Sequence, residues 1–232
     1  PQIERLKAAA EPFRREGIAT WVCLPWCFHS AATSMGLEHF ALKCYDDIDF
    51  VHTLFEWIEQ RNRKAIDAVI AEVKPDMVLF DGDCAYKNGL MVRPQMFREL
   101  VLERTRETVS HLRELDVPYF FHTDGKLDDV VPVLIELGFG AVHGCEKQAN
   151  DLEHLVETFG DDICLIGNMD VVFLSRASEE EVRLETERML MTGARKGRFA
   201  AACNTSPLDY IPDENYMAMA EAIRDFGGGR AW

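Results

Sequence analysis

The chain has 232 residues, 47% hydrophobic and 28% charged, which supplies a core for a folded domain and excludes disordered, collagenous and low-complexity classes. Forty Asp and Glu against 25 Lys and Arg leave a formal net charge of −15, a field that repels phosphate backbones and anionic lipid, so no nucleic-acid or membrane partner is expected. Seven scattered cysteines, an odd count, do not make a disulfide scaffold, and the opening residues lack the basic and apolar segments of a signal peptide, so a reducing cytoplasm is the expected location.

In chain order, a short helix is expected near Ile3–Phe13, followed by a first apolar run, Ile18–Leu24. Ile48, Val51, Leu54, Phe55, Ile58, Ile66, Val69, Ile70 and Val73 then keep three-and-four spacing, with Asp46, Asp47, Glu56, Glu59, Arg61 and Arg63 assigned to polar faces. This predicts one long helix ended by Pro75. A second run, Met77–Phe80, leads to a helix that opens at Pro94, where a first-turn proline is tolerated, and stops before Val117-Pro118. The third run is Pro118–His122. A short helix over Asp128–Leu137, closed by Gly138, precedes the fourth, Ala141–Gly144. A helix over Asn150–Phe159, closed by Gly160, precedes the fifth, Ile163–Gly167. Ser178 and Glu181 have capping-box spacing at the start of a helix that runs to Gly193. The sixth run, Phe199–Cys203, is followed by a last helix over about Asp213–Phe226.

Runs alternating with helices, without hairpin turn signals, predict an α/β fold of parallel strands joined by right-handed crossovers. At roughly 36 residues per unit, eight such units would need about 290 residues. The chain is about two βα units short, and the deficit is most naturally at its N-terminus. A six-strand open sheet and an incomplete barrel both fit. No interior Pro/Gly/Ser-rich stretch divides the chain, so residues 1–232 are read as one domain.

Ligand-binding groups of parallel α/β proteins collect at the carboxyl ends of the strands. Those ends read Asp81-Gly82-Asp83, His122-Thr123-Asp124-Gly125, Cys145-Glu146, Asn168-Met169-Asp170 and Cys203-Asn204. Each alone has an ordinary explanation as a turn or cap; five in succession carrying Asp, His, Glu or Cys point to a site. His122, Asp124, Glu146 and Cys203 offer nitrogen, oxygen and sulfur donors suited to a four-coordinate zinc ion. The catalytic groups expected are Asp81, Asp83, Asn168 and Asp170, with Tyr86 and Asn88 in reach of substrate. Arg93 and Arg98, in or beside a helix start, are read as surface residues.

The order of these pieces resembles the uroporphyrinogen decarboxylase superfamily, which includes cobalamin-dependent methyltransferases. The resemblance runs over nearly the whole chain. It rests on Asp81-Gly82-Asp83 with Leu90-Met91-Val92-Arg93-Pro94-Gln95-Met96-Phe97, on Phe121-His122-Thr123-Asp124-Gly125, on Leu134-Ile135-Glu136-Leu137-Gly138, on Gly167-Asn168-Met169-Asp170 and on Ile211-Pro212-Asp213-Glu214-Asn215. It implies a TIM barrel with its site at the carboxyl face. It also implies, in the methyltransferase branch, zinc held at the places of His122, Glu146 and Cys203. Asp124 stands where that branch carries a Cys, which puts the identity of the metal in question. Trp26 and His29 fall in the aromatic and small-residue loop that walls the pocket in the family. The resemblance implies metal-dependent methyl transfer or demethylation of a small-molecule substrate, with a thiol or a corrinoid, free or carried by a partner protein, as acceptor or donor. Tetrapyrrole decarboxylation is the alternative, although the two strands that carry the decarboxylase arginines are those this chain lacks. A truncated, non-catalytic barrel is a third reading, and a homodimer is one way to cover its open strand edges.

Overall fold

The computed structural model describes residues 2–227. In chain order the elements are α1 (Gln2–Arg15), β1 (Trp21–Pro25), α2 (Cys27–Met35), α3 (Leu37–Asp46), α4 (Ile48–Glu72), β2 (Met77–Asp81), the two-residue strands β3 (Ala85–Tyr86) and β4 (Gly89–Leu90), α5 (Pro94–Glu114), β5 (Tyr119–His122), α6 (Val131–Leu137), β6 (Ala141–His143), α7 (Leu152–Phe159), β7 (Cys164–Met169), α8 (Val171–Leu174), α9 (Glu179–Gly193), β8 (Phe199–Cys203) and α10 (Asp213–Phe226). This is the expected α/β fold: all six predicted runs are strands, and helices alternate with them. Among the described residues, no helix is long and apolar enough to cross a membrane.

The chain divides into two compact units. The first runs through Cys84 and adds Leu90–His122 and Glu136–Gly140; the second holds Ala85–Gly89, Thr123–Ile135 and the chain from Ala141 onward.

In the first unit β1, β2 and β5 pair in parallel, in that order. Side chains alternate between the faces of these strands. Val22, Leu24, Val78, Phe80, Tyr119 and Phe121 are buried on one face, whereas Trp21, Cys23, Met77, Leu79, Asp81, Phe120 and His122 are more open on the other. Trp26, Phe28, Phe40, Phe55, Phe97 and Phe121 are fully buried, and neighbouring rings meet mostly edge to face at centroid separations of 4.9–6.4 Å, the arrangement the ring quadrupole favours.

Two features of this unit differ from the sequence expectation. The stretch after β1, expected as a loop carrying Trp26 and His29, is helical: α2 buries Cys27, Phe28, Ala31 and Ala32, and α3 buries Phe40 and Cys44. Glu59, assigned to the polar face of α4 for its charge, is 1% exposed, because it shares the buried stripe with Val51, Phe55, Ile58, Asn62, Ile66 and Val69.

In the second unit β6, β7 and β8 pair in parallel, in that order. The predicted capping box of α9 is complete: Ser178 Oγ accepts from Glu181 N–H, and the Glu181 carboxylate accepts from Ser178 N–H. Asn215 Nδ2 donates to the carbonyls of Leu174 and Ala177 at 2.8 Å, tying α10 to the end of α8.

Candidate metal centre

β2 and β5 lie in register with Asp81 opposite His122, so the last residues of two adjacent strands face the same way. Backbone bonds continue the pairing past the strand ends: Gly82 N–H donates to His122 O at 2.9 Å, and Trp26 N–H, just beyond β1, donates to Asp81 O at 2.8 Å. Asp83 is carried back toward His122 by the residue between the two carboxylates. A Cβ on Gly82 would stand 2.2 Å from the Phe121 ring and 3.0 Å from the Trp26 ring. Only glycine lets the turn lie this close to the aromatic layer beneath it.

One ligand atom from each of Asp81, Asp83 and His122 lies within 4.8 Å of the others, and all three residues are partly buried. His122 Nε2 and Asp83 Oδ1 are 4.0 Å apart, with side chains 17% and 35% exposed. Two donors each about 2.1 Å from one ion stand at most about 4.2 Å apart, so the His122–Asp83 pair is within that limit and small side-chain rotations would draw the group onto one cation. Two carboxylates and a neutral imidazole also balance a divalent charge. The fit is to a divalent metal that takes oxygen and nitrogen ligands.

One of these residues, His122, was expected as a ligand; Asp81 and Asp83 were expected in catalysis. The other predicted ligands lie in the second unit, where they keep the following company. The Glu146 carboxylate accepts from Gly125 N–H at 2.7 Å, and Gly125 needs its glycine because a Cβ there would stand 2.6 Å from Ala85 O, at a φ of +88°. Asp124 is half-buried, and its carbonyl accepts from Thr123 Oγ1 at 2.9 Å. Cys203 is buried, and burial pushes its thiol up to about 11.

Among the expected catalytic groups, Asn168 Nδ2 donates to Cys145 O at 2.9 Å. Asp170 caps α8 by accepting from Phe173 N–H at 2.8 Å. Tyr86 and Asn88 are exposed. His29 is half-buried on α2. Trp26 is 0% exposed, so in this structure its indole lies beneath the turn that carries Asp81 and Asp83 and forms no open wall. The surface reading of the arginines agrees with their partners: Arg98 pairs with Glu136 at 2.5 Å, and the Arg93 guanidinium lies over the Tyr45 ring, 5.2 Å from its centroid.

Sequence reasoning did not single out the polar groups beneath the site. Thr105 accepts from Trp26 Nε1 at 2.8 Å, Asn62 Nδ2 donates to Pro25 O at 3.0 Å, and Thr108 donates to Glu59 Oε2. Burial raises the Glu59 carboxyl above its ordinary value. The available signal was a polar residue at a position that helical spacing reserves for the core.

The uroporphyrinogen decarboxylase (URO-D) family model matches residues 22–226. No curated protein matches the sequence. Among solved structures, a methyltransferase from Methanosarcina mazei is similar at a TM-score of 0.79 and 18% identity, over 97% of this chain and 64% of that one. The chain therefore spans less than two thirds of that methyltransferase. A candidate vitamin-B12 independent methionine synthase from Listeria monocytogenes aligns at a TM-score of 0.57 and 10% identity, over 99% of this chain and 87% of the other. The 3-keto-D-glucoside 4-epimerase of E. coli does so at 0.51 and 11%, over 97% and 85%. At these identities the likeness is one of fold.

Proposed function

The chain belongs to the uroporphyrinogen decarboxylase family, and from that premise we propose that it is a metal-dependent enzyme of methyl transfer or demethylation, with zinc as the metal and a thiol or corrinoid as acceptor or donor. The observation that carries this reading is the gathering of Asp81, Asp83 and His122 at two adjacent strand ends.

A zinc ion held there would keep a thiol in its anionic, nucleophilic form at neutral pH. The chain's own residues supply the rest. Asp81 and Asp83 provide the negative charge that holds a cation, and His122 contributes Nε2 at the third corner. The backbone bond from Gly82 ties the end of β2 to that of β5, and the one from Trp26 ties β2 to the chain beyond β1. Cysteine is not part of this group, and oxygen-rich ligation leaves the site open to metals other than zinc. Tetrapyrrole decarboxylation is the weaker reading, since Arg93 and Arg98 are engaged with Tyr45 and Glu136.

Equilibrium dialysis of the purified chain against Zn(II) and Co(II) tests the proposal. About one ion per chain is expected, lost in His122→Ala and Asp83→Asn with the fold retained. The same measurement on Asp124→Ala, Glu146→Ala and Cys203→Ala tests the ligands expected from the family pattern. Methylcobalamin with 2-mercaptoethanol then probes transfer, read as loss of the methylcobalamin absorbance and appearance of the methyl thioether. Failure of the wild-type chain to take up metal would overturn the reading.

A further inference from the structure

The interior behind β1 is aromatic: Trp26, Phe28, Phe40, Phe55, Phe97 and Phe121 fill it. Yet the last residue of β1 and the one that follows it are each met by a polar side chain from α4 or α5. Asn62 donates to Pro25 O and Thr105 accepts from Trp26 Nε1, while on the neighbouring turn of α4 the buried Glu59 carboxylate accepts from Thr108. A buried polar group gains little over a well-packed apolar one and is costly when left unpaired. What such a bond adds is direction, since it holds a side chain in one orientation that packing alone would not select.

The side chain held in this way is the indole of Trp26, and it touches the flanks of all three ligand residues. Its ring meets Phe121, the neighbour of His122, at a centroid separation of 4.9 Å and an angle of 89°. It lies against Gly82, which separates Asp81 from Asp83, and its backbone N–H donates to Asp81 O. A tilt of the indole would press on Gly82 or Phe121 and so change the spacing of the three donors.

We infer that Thr105, through its hydrogen bond to the Trp26 indole, is a positioning residue for the Asp81, Asp83 and His122 cluster. The inference rests on the reading of that cluster as a metal site. Thr105 acts through Trp26 and itself contacts neither metal nor substrate.

Three variants of the full chain test it. Thr105→Val keeps the shape and removes the acceptor. Thr105→Ser restores the acceptor without the methyl group. Trp26→Phe removes the donor and serves if the valine variant fails to fold. On metal-free, 15N-labelled protein, the backbone amides of Gly82 and Asp83 and the ring signals of His122 are expected to shift or broaden in Thr105→Val and in Trp26→Phe. They should return in Thr105→Ser, while amides along β7 and β8 stay in place. With Co(II), affinity is expected to fall about ten-fold in Thr105→Val, the range for groups that orient metal ligands, with a changed visible spectrum, and to recover in Thr105→Ser. Unchanged amides and Co(II) affinity in a folded Thr105→Val would overturn the inference, as would equal effects of valine and serine. If the wild-type chain takes up no metal, the proposed function falls, and the metal-free spectra still decide whether Thr105 sets the geometry of the cluster.

Discussion

Nε2 of His122 and Oδ1 of Asp83 stand 4.0 Å apart, the one on the last residue of β5 and the other two residues beyond β2. That spacing depends on the turn at Gly82, which has no room for a side chain above Phe121 and Trp26. Gly82→Ala is therefore expected to destabilise the protein by about 1–3 kcal/mol, the usual cost of overpacking a filled core, and to weaken metal uptake. Adding Phe121→Leu should recover part of both losses, because the two changes meet at one contact. Urea midpoints and Co(II) titrations of the two single variants and the double variant check this; strictly additive losses would count against it.

Acid sensitivity is expected from Glu185, in the second unit. Arg188 and Lys147 beside it hold its carboxyl down to about 2, with oxygen–nitrogen distances of 2.8 Å and 2.7 Å. A depressed pKa in the folded state contributes stability that is complete above the unfolded value of 4.5 and is lost as pH falls toward 2. The two cations are about half exposed, so solvent screening limits the contribution to about 1–2 kcal/mol. Urea midpoints of wild type and Glu185→Gln should differ at pH 6 and converge as the pH approaches 2.

The capping box of α9 gives a local test. Ser178→Ala removes the acceptor for Glu181 N–H and frees the Glu181 carboxylate from its hydroxyl partner. A loss of about 1 kcal/mol is expected, equivalent to a fall of roughly 2–4 °C in Tm for a chain of this size. Ser178→Asp, which keeps an acceptor and adds negative charge at the helix start, should lose little. Thermal melts of the two variants separate the cap from simple surface substitution.

The six main strands were legible because each is a short apolar run bounded by turns, and the long helices because their apolar residues recur at three and four. The helices over Cys27–Met35 and Leu37–Asp46 were not. They are nine and ten residues long, rich in small and polar residues, and their N-caps, Trp26 and Gly36, make no side-chain capping bond. Of the site, the candidate residues could be read from the rule that strand ends carry chemistry. Their grouping could not, because the pairing of Asp81 with His122 is a matter of strand register and the approach of Asp83 depends on the turn at Gly82. Spacing along the chain encodes neither. Glu59 was misplaced for a related reason: its charge was weighed above its position on the stripe that also holds Phe55, Asn62 and Ile66.

That position makes Glu59 the source of a second pH dependence, opposite in sign to that of Glu185. Burial is the main cause that raises its pKa, and the bond from Thr108, the nearby Cys27 and the charge of Arg63 oppose the rise without cancelling it. A raised folded-state value means stability that is complete below the unfolded pKa of 4.5 and declines as pH rises through the folded one, because the buried acid must then ionise or the chain unfold to let it. Glu59→Gln keeps an acceptor for Thr108 and removes the charge. Its urea midpoint is therefore expected to be no higher than that of wild type near pH 4 and to exceed it near pH 7. Glu59→Ala, which leaves Thr108 without its acceptor and opens a cavity at a position 1% exposed, should be less stable than both across the range. A glutamine variant less stable than wild type at pH 7 would mean that the ionised carboxylate is held by Arg63 and Thr108 more strongly than burial opposes it.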